Sequence, residues 1–410
     1  MRNRLLTITF TIACLIAIVV LVRQANIRPS GTRYPFATAE NGHHLAAGAH
    51  HSLYIDSEGR LWTWGDAKFK NRANAIPVKV ADSAMTVSAG DTSATSFYVA
   101  IDGTLFGWGD TSHGQMGILS EAPVIEPMPI MTDIKTVDAG HDTPHAIDIH
   151  SSLWTWGMNN PSRGNREPGE EIEGTLIEPE KVMDLVKLVS SSATHTLAQR
   201  EDRSLWVWGE NSTGALATGS TEKQTHPYKA DLSPLEGRFI VKLATRNNAS
   251  FAVADDGTLW TWGSANAMLP GKPTQELPSK TVPVKVQFID NVADIALGDE
   301  SILILKNDGS VWAYGIGPVT GKAAPEWTTP VPILSDVVEI ASGPHHALAL
   351  KKDGTVWSWG DNDAGQLGDG TKHLSLKPVQ VRFHQATTAT QAPRKNEKPL
   401  SHPDRATKGA

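Results

Sequence analysis

Three histidines are the residues of this 410-residue sequence whose type and spacing are best suited to chemistry. His51, His195 and His346 each lie fourteen residues before a glycine that ends an aromatic-rich tetrapeptide, which occurs seven times. A ring of imidazoles could bind a transition metal, because neutral imidazole is a common ligand. Only three of the seven equivalent positions are histidine, however, and the others are Thr95, Thr143, Ala249 and Ser301. The pattern therefore favours buried polar residues that hydrogen-bond to the backbone of a neighbouring repeat, and it predicts no metal site.

Two acidic segments are further candidates for cation binding. The segment Asp361–Asp369 begins like a calcium loop, but an EF-hand needs glycine at position 6 and an acid at position 12. Gln366 and Lys372 occupy these positions, so we interpret the segment as a turn between strands. The acidic run from Glu167 to Glu180 lies in a long insertion. We interpret it as a solvated loop, with a site for a cation or a basic partner as the alternative.

No motif of a known enzyme class orders the remaining polar residues. The sequence has no nucleotide-binding glycine loop after a strand, no G-x-S-x-G elbow and no H-E-x-x-H pair. Cys14 is the only cysteine, which excludes an intramolecular disulfide and a cysteine zinc cluster. We therefore predict no catalytic residues and no cofactor.

The aromatic-x-aromatic-glycine tetrapeptide defines a repeat that covers most of the chain. It first ends at Gly65 and recurs at intervals of 44, 48, 52, 54, 52 and 45 residues. Twelve of the thirteen tryptophans lie in it, and Trp327 is the exception. The tryptophans of the motif and its closing glycines are Trp62, Trp64, Gly65, Trp108, Gly109, Trp154, Trp156, Gly157, Trp206, Trp208, Gly209, Trp260, Trp262, Gly263, Trp312, Gly315, Trp357, Trp359 and Gly360. We interpret these residues as structural positions of the repeat and not as an aromatic ligand surface.

Each repeat also contains signals for the strands that carry the motif. Five repeats have an acidic residue and a glycine six residues before the motif glycine, as in Asp102-Gly103. Such a pair between two apolar strands predicts a two-residue hairpin turn, because this turn needs positive φ. His150-Ser151 and Asp202-Arg203 depart from the pattern, so we expect looser turns there. Farther along, a proline is expected to open another short strand, as in Pro77-Val-Lys-Val.

The motif strand has residues fit for burial on both of its faces. Trp62 and Trp64 point to one face, while Leu61 and Thr63 point to the other. A sheet packed between two similar sheets needs two such faces, whereas a solvated hairpin does not. A unit of 44–54 residues with about four short strands has the size of a propeller blade. Seven units therefore predict an all-β, seven-bladed β-propeller.

The last repeat resembles a known family. Its residues run Ala341-Ser-Gly-Pro-His-His-Ala-Leu-Ala-Leu-Lys-Lys-Asp-Gly-Thr-Val-Trp-Ser-Trp-Gly-Asp-Asn-Asp-Ala-Gly-Gln-Leu-Gly, which is similar to the regulator of chromosome condensation repeat. The resemblance covers residues 43–381 and implies a seven-bladed propeller of a bacterial-type, membrane-anchored member. It also implies closure by mixing both ends of the chain in one blade. Residues 43–56 are then expected to pair beside Thr355–Val381.

The two ends of the chain differ from the repeats. Residues 5–22 form an uncharged apolar run of eighteen, which spans about 27 Å as a helix and just suffices for a bilayer core. We predict a basic segment at 1–4, an uncleaved transmembrane signal-anchor at 5–22, a linker at 23–41, the propeller at 42–381 and a disordered basic tail at 382–410. An anchor would place the propeller on the periplasmic or extracellular side of the membrane. A cleaved export signal is the alternative, and the protein would then be secreted.

The charge and the repeats together limit the function. The body at 42–381 has 26 basic and 41 acidic residues, a balance that does not favour nucleic acid. We predict a monomeric, non-catalytic scaffold that binds a protein partner. Trp327 is a candidate contact, because tryptophan is enriched in interface hot spots; the alternative is that it fills a gap in a blade. Inhibition of an extracellular enzyme through loop contacts is an alternative function, and nucleotide exchange on a small GTPase is a less favoured one.

Overall fold

Seven antiparallel sheets form the structure. A computed structural model of the chain describes residues 43–91, 94–158, 175–264, 280–321 and 330–383. In these residues each sheet has four strands, and the four are consecutive in sequence, so each sheet is one blade. The sheets surround a central channel. The predicted seven-bladed β-propeller is confirmed.

In each blade the strands follow one another in chain order from the central channel to the outer edge. In blades 1 to 4 they are β1 (Leu45–Ala47), β2 (His51–Ile55), β3 (Leu61–Gly65), β4 (Asn74–Ala81), β5 (Ala84–Ala89), β6 (Ser96–Ala100), β7 (Leu105–Gly109), β8 (Val124–Met131), β9 (Ile134–Asp138), β10 (His145–Asp148), β11 (Leu153–Met158), β12 (Thr175–Met183), β13 (Val186–Ser191), β14 (His195–Arg200), β15 (Leu205–Gly209) and β16 (Gln224–Lys229).

The remaining three blades continue the same order. Their strands are β17 (Ile240–Arg246), β18 (Ala249–Ala254), β19 (Leu259–Gly263), β20 (Lys280–Lys285), β21 (Val292–Leu297), β22 (Ser301–Lys306), β23 (Val311–Gly315), β24 (Val331–Leu334), β25 (Val337–Ser342), β26 (His346–Lys351), β27 (Val356–Gly360) and β28 (Ser375–Gln380). The first strand of each blade lines the channel, and the third carries the aromatic motif.

The hydrophobic core lies between neighbouring blades. One cluster joins Leu53 and Leu61 of blade 1 to Val87, Tyr98 and Trp108 of blade 2. Because both faces of a motif strand are covered in this way, the strand has no place for a charged side chain. This packing confirms the prediction of sheets stacked between similar sheets.

The hairpins between the second and third strands differ from the predicted two-residue turn. At Ala100–Thr104 the amide of Gly103 donates to the carbonyl of Ala100, and the amide of Ala100 donates to that of Thr104. Only the glycine is left-handed, with φ +83°, so this is a three-residue turn with one left-handed position. Ser151 and Arg203 adopt the same conformation, with φ +64° and +69°. The expectation of looser turns there is therefore wrong, because Ser151 and Arg203 both adopt the left-handed conformation that glycine has in the other hairpins.

The seven prolines of the repeat lie within the outermost strand of their blades and not at its start. Pro77, for example, lies in the middle of β4. A proline lacks the amide hydrogen that a ladder needs, and it is tolerated on an edge strand because one side of that strand has no neighbour. At this position it also discourages pairing with another chain.

The two ends of the chain do not share a blade, so the predicted closure is wrong. Leu45 of β1 pairs with Tyr54 of β2, whereas β28 pairs with β27 at the edge of blade 7. The reason is that the N-terminal residues supply their own innermost strand, so blade 1 needs no strand from the other end. The ring closes by packing instead: the ring of Phe383 lies 5.6 Å from Trp62 and 6.0 Å from Trp64, centroid to centroid.

Several sequence predictions fall outside the described residues. These are the segments 1–4, 5–22 and 23–41, most of the tail at 382–410, the acidic part of the insertion before β12, and Trp327. In the part of the chain that the structure describes, no helix has the length and hydrophobicity of a membrane span.

Candidate functional site

The connections between strands divide the ring into two faces. On one side of the ring lie the connections from the first to the second strand and from the third to the fourth strand of each blade; we call this side the loop face. On the other side lie the hairpins between second and third strands and the short turns between blades; we call this side the turn face. On the loop face, the distance from motif glycine to proline ranges from 12 to 22 positions. His43 and Phe383, the ends of the described chain, both lie on the turn face, because first strands start there and fourth strands end there.

The second aromatic residue of the motif joins neighbouring blades. The indole Nε1 of Trp64 in blade 1 donates to the carbonyl oxygen of Gln366 in blade 7 at 2.8 Å. Equivalent bonds of 2.7–2.8 Å to the preceding blade run from Trp156 to Gln115, from Trp262 to Ala215 and from Trp359 to Val319. These indoles are fully buried, as are Trp108 and Trp208, so a ligand cannot reach them.

The first aromatic residue of the motif stabilises the hairpin of its own blade. Trp62 Nε1 donates to a carboxylate oxygen of Asp56 at 2.9 Å, and Trp154 does the same to Asp148. In four other blades the acceptor is a hydroxyl at 2.8–3.0 Å, in the pairs Trp206–Ser204, Trp260–Thr258, Trp312–Ser310 and Trp357–Thr355. The closing glycines Gly65, Gly109, Gly157, Gly209, Gly263, Gly315 and Gly360 all have positive φ, from 77° to 117°. In the structure, then, the motif residues make contacts that hold the blades.

The three histidines link second strands of neighbouring blades. His51 Nε2 lies 3.0 Å from the hydroxyl of Ser96 in blade 2. The corresponding pairs are His195 with Ser250 at 2.7 Å and His346 with Ser52 at 2.9 Å. Each imidazole thus bonds to a serine hydroxyl of the next blade, in addition to the backbone contact that the sequence suggested. That contact is with Thr95 for His51, with Asn247 for His195 and with the backbone of His51 for His346. The structure does not bring all three histidines together: His51 and His346 lie in the neighbouring blades 1 and 7, whereas His195 lies in blade 4.

Burial keeps these histidines neutral. All three are fully buried. Burial lowers the pKa of His51 to about 4, that of His195 to about 4 and that of His346 to about 3. In the described residues, no group of three or more His, Cys, Asp or Glu side chains is placed to hold a metal ion.

Glycines make room for two of the imidazoles. Gly48 and Gly343 each precede their histidine by three residues. A Cβ at Gly343 would lie 2.9 Å from Cε1 of His346, and one at Gly48 would overlap the ring of His51 even more closely. The G-x-x-H spacing is therefore a packing requirement. Ser192 takes this place before His195, and its hydroxyl lies 3.2 Å from the imidazole Nδ1.

The acidic segment after the last motif forms a closed loop. Asn362 is fully buried; its amide donates to the carbonyls of Thr371 and His373 at 3.2 and 3.1 Å, and its Oδ1 accepts from Leu367 at 2.9 Å. Asn211 makes the same kind of bonds in blade 4. This segment is a turn between strands, organised by an asparagine side chain.

An arginine spans the channel at its loop-face end. Arg246 of blade 5 has a side chain only 5% exposed, and its Nη1 lies 3.3 Å from Asp91 of blade 2. Its Nη2 lies 2.7 Å from Asp299 of blade 6. Burial raises the pKa of Asp91, although the guanidinium opposes this shift. The bridge therefore ties three blades together across the opening and lies against a cavity of about 220 Å³.

Two carboxylates of innermost strands bind the neighbouring blade. Asp138 accepts hydrogen bonds from the amide and the hydroxyl of Ser191, at 2.6 and 2.8 Å. Burial raises the pKa of Asp138 to about 6 against these bonds. Glu339 accepts from the amides of His44 and Leu45 at 2.7 and 3.0 Å. Burial opposes ionisation of Glu339, but the contacts with His44 hold its pKa below the usual value.

Sequence reasoning missed these polar contacts between blades. Arg246, Asp138 and Glu339 occupy innermost strands, where no repeated residue type marks them. A signal did exist for one group, since Ser52 and Ser96 each directly follow the position of the repeated histidine. The acceptor of each histidine could have been sought among the serines of the next repeat.

Comparison with known proteins agrees with the architecture. The family described as "Regulator of chromosome condensation (RCC1) repeat" matches residues 43–69, 337–366 and 353–392. The chain is 27% identical over 268 residues to the RCC1 domain-containing protein RUG3, mitochondrial, of Arabidopsis thaliana, covering 60% of this chain and 58% of that protein. It is 25% identical over 319 residues to the ultraviolet-B receptor UVR8 of Arabidopsis thaliana, covering 72% and 69%. The match to the human E3 ubiquitin-protein ligase HERC2 is 24% identical over 68% of this chain but covers only 5% of that protein.

Solved structures share the fold. Human WBSCR16 superposes with a TM-score of 0.67 at 21% identity, covering 76% of this chain and 85% of that one. Yeast RCC1 (Prp20), in its complex with Kap60, superposes with a TM-score of 0.65 at 18% identity, covering 89% and 91%. Residues 43–69 and 337–392 therefore match the regulator of chromosome condensation repeat, and the chain has the same seven-bladed propeller fold as these solved structures.

Proposed function

We propose that this chain is a non-catalytic scaffold that binds a protein partner through its loop face, outside the cytoplasmic membrane. The observation that carries the proposal is the contrast between a frame held by repeated contacts and loops that differ from blade to blade. Those loops expose large aliphatic side chains, among them Leu119 and Leu374, which are 59% and 50% exposed. Variable loops on a rigid frame are a common place for binding residues.

The direction of the chain supports display of the loop face. The apolar run at 5–22 precedes the propeller, and the chain enters the ring at His43 on the turn face. An anchor at 5–22 would therefore be connected to the turn face, and the loop face would have no chain connection to the membrane. Inhibition of an extracellular enzyme and nucleotide exchange on a small GTPase remain predictions from the sequence.

Site-specific photocrosslinking in cells that express the full chain tests the proposal. A photoreactive residue replaces Leu119 or Leu374 on the loop face, and Asn307 on the turn face serves as the matched control. We expect one partner protein to be crosslinked from both loop positions and not from the control. Equal crosslinking from all three positions, or none from the loop positions, would contradict binding through this face.

Protease accessibility in intact cells tests the proposed position of the propeller outside the cytoplasmic membrane. Protease added outside intact cells, after removal of any outer barrier, should digest the propeller, while a cytoplasmic marker stays intact. Protection of the propeller equal to that of the marker would contradict display outside the cytoplasmic membrane.

A further inference from the structure

The turn face has an exposed aliphatic patch that spans three blades. Ile101, Ile149 and Leu185 are 53%, 58% and 47% exposed. Backbone bonds connect their turns: the amide of Ile149 donates to Asp133 at 2.8 Å, and the amide of Ile134 donates to Gly103, in the hairpin of Ile101. The amide of Val186, next to Leu185, donates to Ser151 in the hairpin of Ile149. We call these three aliphatic residues the turn-face patch.

The isoleucines of the patch occupy a position that is polar in every other blade. Ile101 and Ile149 are the first turn residues of their hairpins, directly after Ala100 and Asp148. The equivalent residues in the five other blades are exposed and hydrophilic: Ser57, Glu201, Asp255, Asn307 and Lys352. The hairpin therefore needs no aliphatic side chain at this place, and folding does not explain the two isoleucines.

A leucine at position 185 is unfavourable for the backbone conformation of its turn. Leu185 adopts a left-handed conformation, with φ +61°. The corresponding turns between other blades place Ser83, Asp133, Asn291 and Asp336 in the same conformation, with φ from 55° to 63°. Asp and Asn tolerate this region, whereas a leucine is strained there. A strained leucine that also exposes its side chain to water has no evident role in the ring itself.

Acidic residues surround the patch. Asp102 and Asp184 each adjoin a patch member in sequence, and Asp133 lies in the turn whose carbonyl accepts from Ile149. Glu201 and Asp202 lie in the next hairpin, where the amide of Glu201 donates to the carbonyl of Leu185. Three basic residues lie beside these five acids, namely Arg200, Arg203 and Lys181, and Lys181 is paired with Asp184. The rim therefore has an acidic surplus of about two charges. A ligand that covers the aliphatic centre therefore meets a negative rim.

We propose that the turn-face patch docks a segment of a partner protein that has large apolar side chains flanked by lysine or arginine. The aliphatic centre supplies the contact area, and the acidic rim selects basic flanks and repels acidic ones. A second copy of this chain is a poor occupant, because two acidic rims would face each other. This surface is separate from the loop face, so it does not depend on the function proposed above.

Binding of synthetic peptides to the full chain tests the chemistry. The chain is held in zwitterionic lipid nanodiscs, so that residues 5–22 are accommodated whether or not they span a bilayer, and empty nanodiscs give the background. One labelled peptide has a Leu-Phe-Leu centre between lysines; a second has the same centre between glutamates, and a third has serines between lysines. We expect fluorescence anisotropy to show tightest binding for the first peptide, by about tenfold, with weakening in salt.

Two variants separate apolar docking from charge attraction. Leu185→Asp introduces the residue found in equivalent turns, so the fold should be retained, and it adds negative charge. Docking on the aliphatic centre predicts about tenfold weaker binding of the first peptide. Attraction by charge alone predicts tighter binding and would overturn the proposal. Ile149→Ser should also weaken binding about tenfold, whereas Asn307→Ser, at the same turn position of blade 6, should have no effect.

The remaining outcomes are equally decisive. Equal binding of all three peptides, or unchanged binding by both patch variants, would contradict the proposal. Concentration-dependent dimerisation of the full chain that Ile149→Ser abolishes would assign the patch to a second copy instead. Loop-face crosslinking is measured separately, so failure of one proposal leaves the other intact.

Discussion

Trp64 donates its indole hydrogen to the carbonyl oxygen of Gln366 at 2.8 Å, across 302 residues of sequence. The same carbonyl accepts the hydroxyl of Ser52 at 2.9 Å, and that hydroxyl lies 2.9 Å from His346 Nε2. Blades 1 and 7 are therefore joined by a buried polar network together with the ring of Phe383. This network takes the place of a strand shared between the two ends.

Loss of the indole donor at this junction should destabilise the ring. Trp64→Phe leaves the junction with one donor fewer, and an interrupted buried hydrogen bond costs about 1–3 kcal/mol in addition to lost packing. Trp108→Phe is a matched control, because Trp108 is equally buried and its Nε1 has no partner among the described residues. We expect Trp64→Phe to lower the free energy of unfolding by about 1–2 kcal/mol more than Trp108→Phe, as measured by urea denaturation. Equal losses would show that the bond contributes nothing.

The buried histidines should make the propeller sensitive to acid. Their pKa values of about 3 to 4 lie below the 6.5 expected in the unfolded chain, so the unfolded chain binds protons that the folded chain does not. Stability is then fully present above about pH 6.5 and falls toward pH 4, by about 1.4 kcal/mol per pH unit for each histidine. Asp138 has the opposite sign, because its raised pKa of about 6 favours the protonated folded form as the pH falls.

The pH dependence of the free energy of unfolding can be measured by urea denaturation between about pH 4.5 and about pH 7.5, the range over which these groups should change stability. The three histidines minus Asp138 predict a net uptake of about two protons on unfolding near pH 5. His195→Gln removes one titrating group and should reduce the slope by about 1.4 kcal/mol per pH unit. If His195→Gln leaves the slope of the free energy of unfolding against pH unchanged, His195 does not contribute to the pH dependence.

Removal of the channel arginine should leave two carboxylates without their cation. Arg246→Met removes the guanidinium that is paired with Asp91 and Asp299, and breaking a largely buried ion pair costs about 3 kcal/mol. Asp299 is 39% exposed, so Asp91 should account for most of the effect. We therefore expect Asp91→Asn to recover part of the stability of Arg246→Met in thermal unfolding. Additive losses in the double variant would contradict a direct interaction.

The spacing between Gly48 and His51 can be tested by paired substitution. Gly48→Ala places a methyl group against the imidazole of His51, and overpacking of this kind costs about 1–3 kcal/mol. His51→Ser shortens the side chain to that of Ser301, which follows Gly298 at the same spacing. The double variant should therefore be more stable than the sum of the two single effects predicts. Strict additivity in a double-mutant cycle would show that the two side chains do not interfere.

The number of blades, with about four strands in each, follows from local sequence pattern. A strand buried on both faces has apolar or small uncharged residues at every position, so the motif strand and its flanking turns mark every blade by local pattern. The same pattern was sufficient to place Trp62 and Trp64 as structural residues. It also limited what the three histidines could do, because a position that alanine can fill is unsuited to a ring of metal ligands.

The closure of the ring, and the identity of the residues that meet across it, depend on the tertiary structure. The bond from Trp64 to Gln366, the pairing of His346 with Ser52 and the bridge from Arg246 to Asp91 all join residues distant in sequence. The local pattern alone does not identify these partners, because each contact also depends on where the curvature of seven blades brings the chain. The turn-face patch has the same origin: its three residues stand in separate repeats, and only the ring places them on one surface.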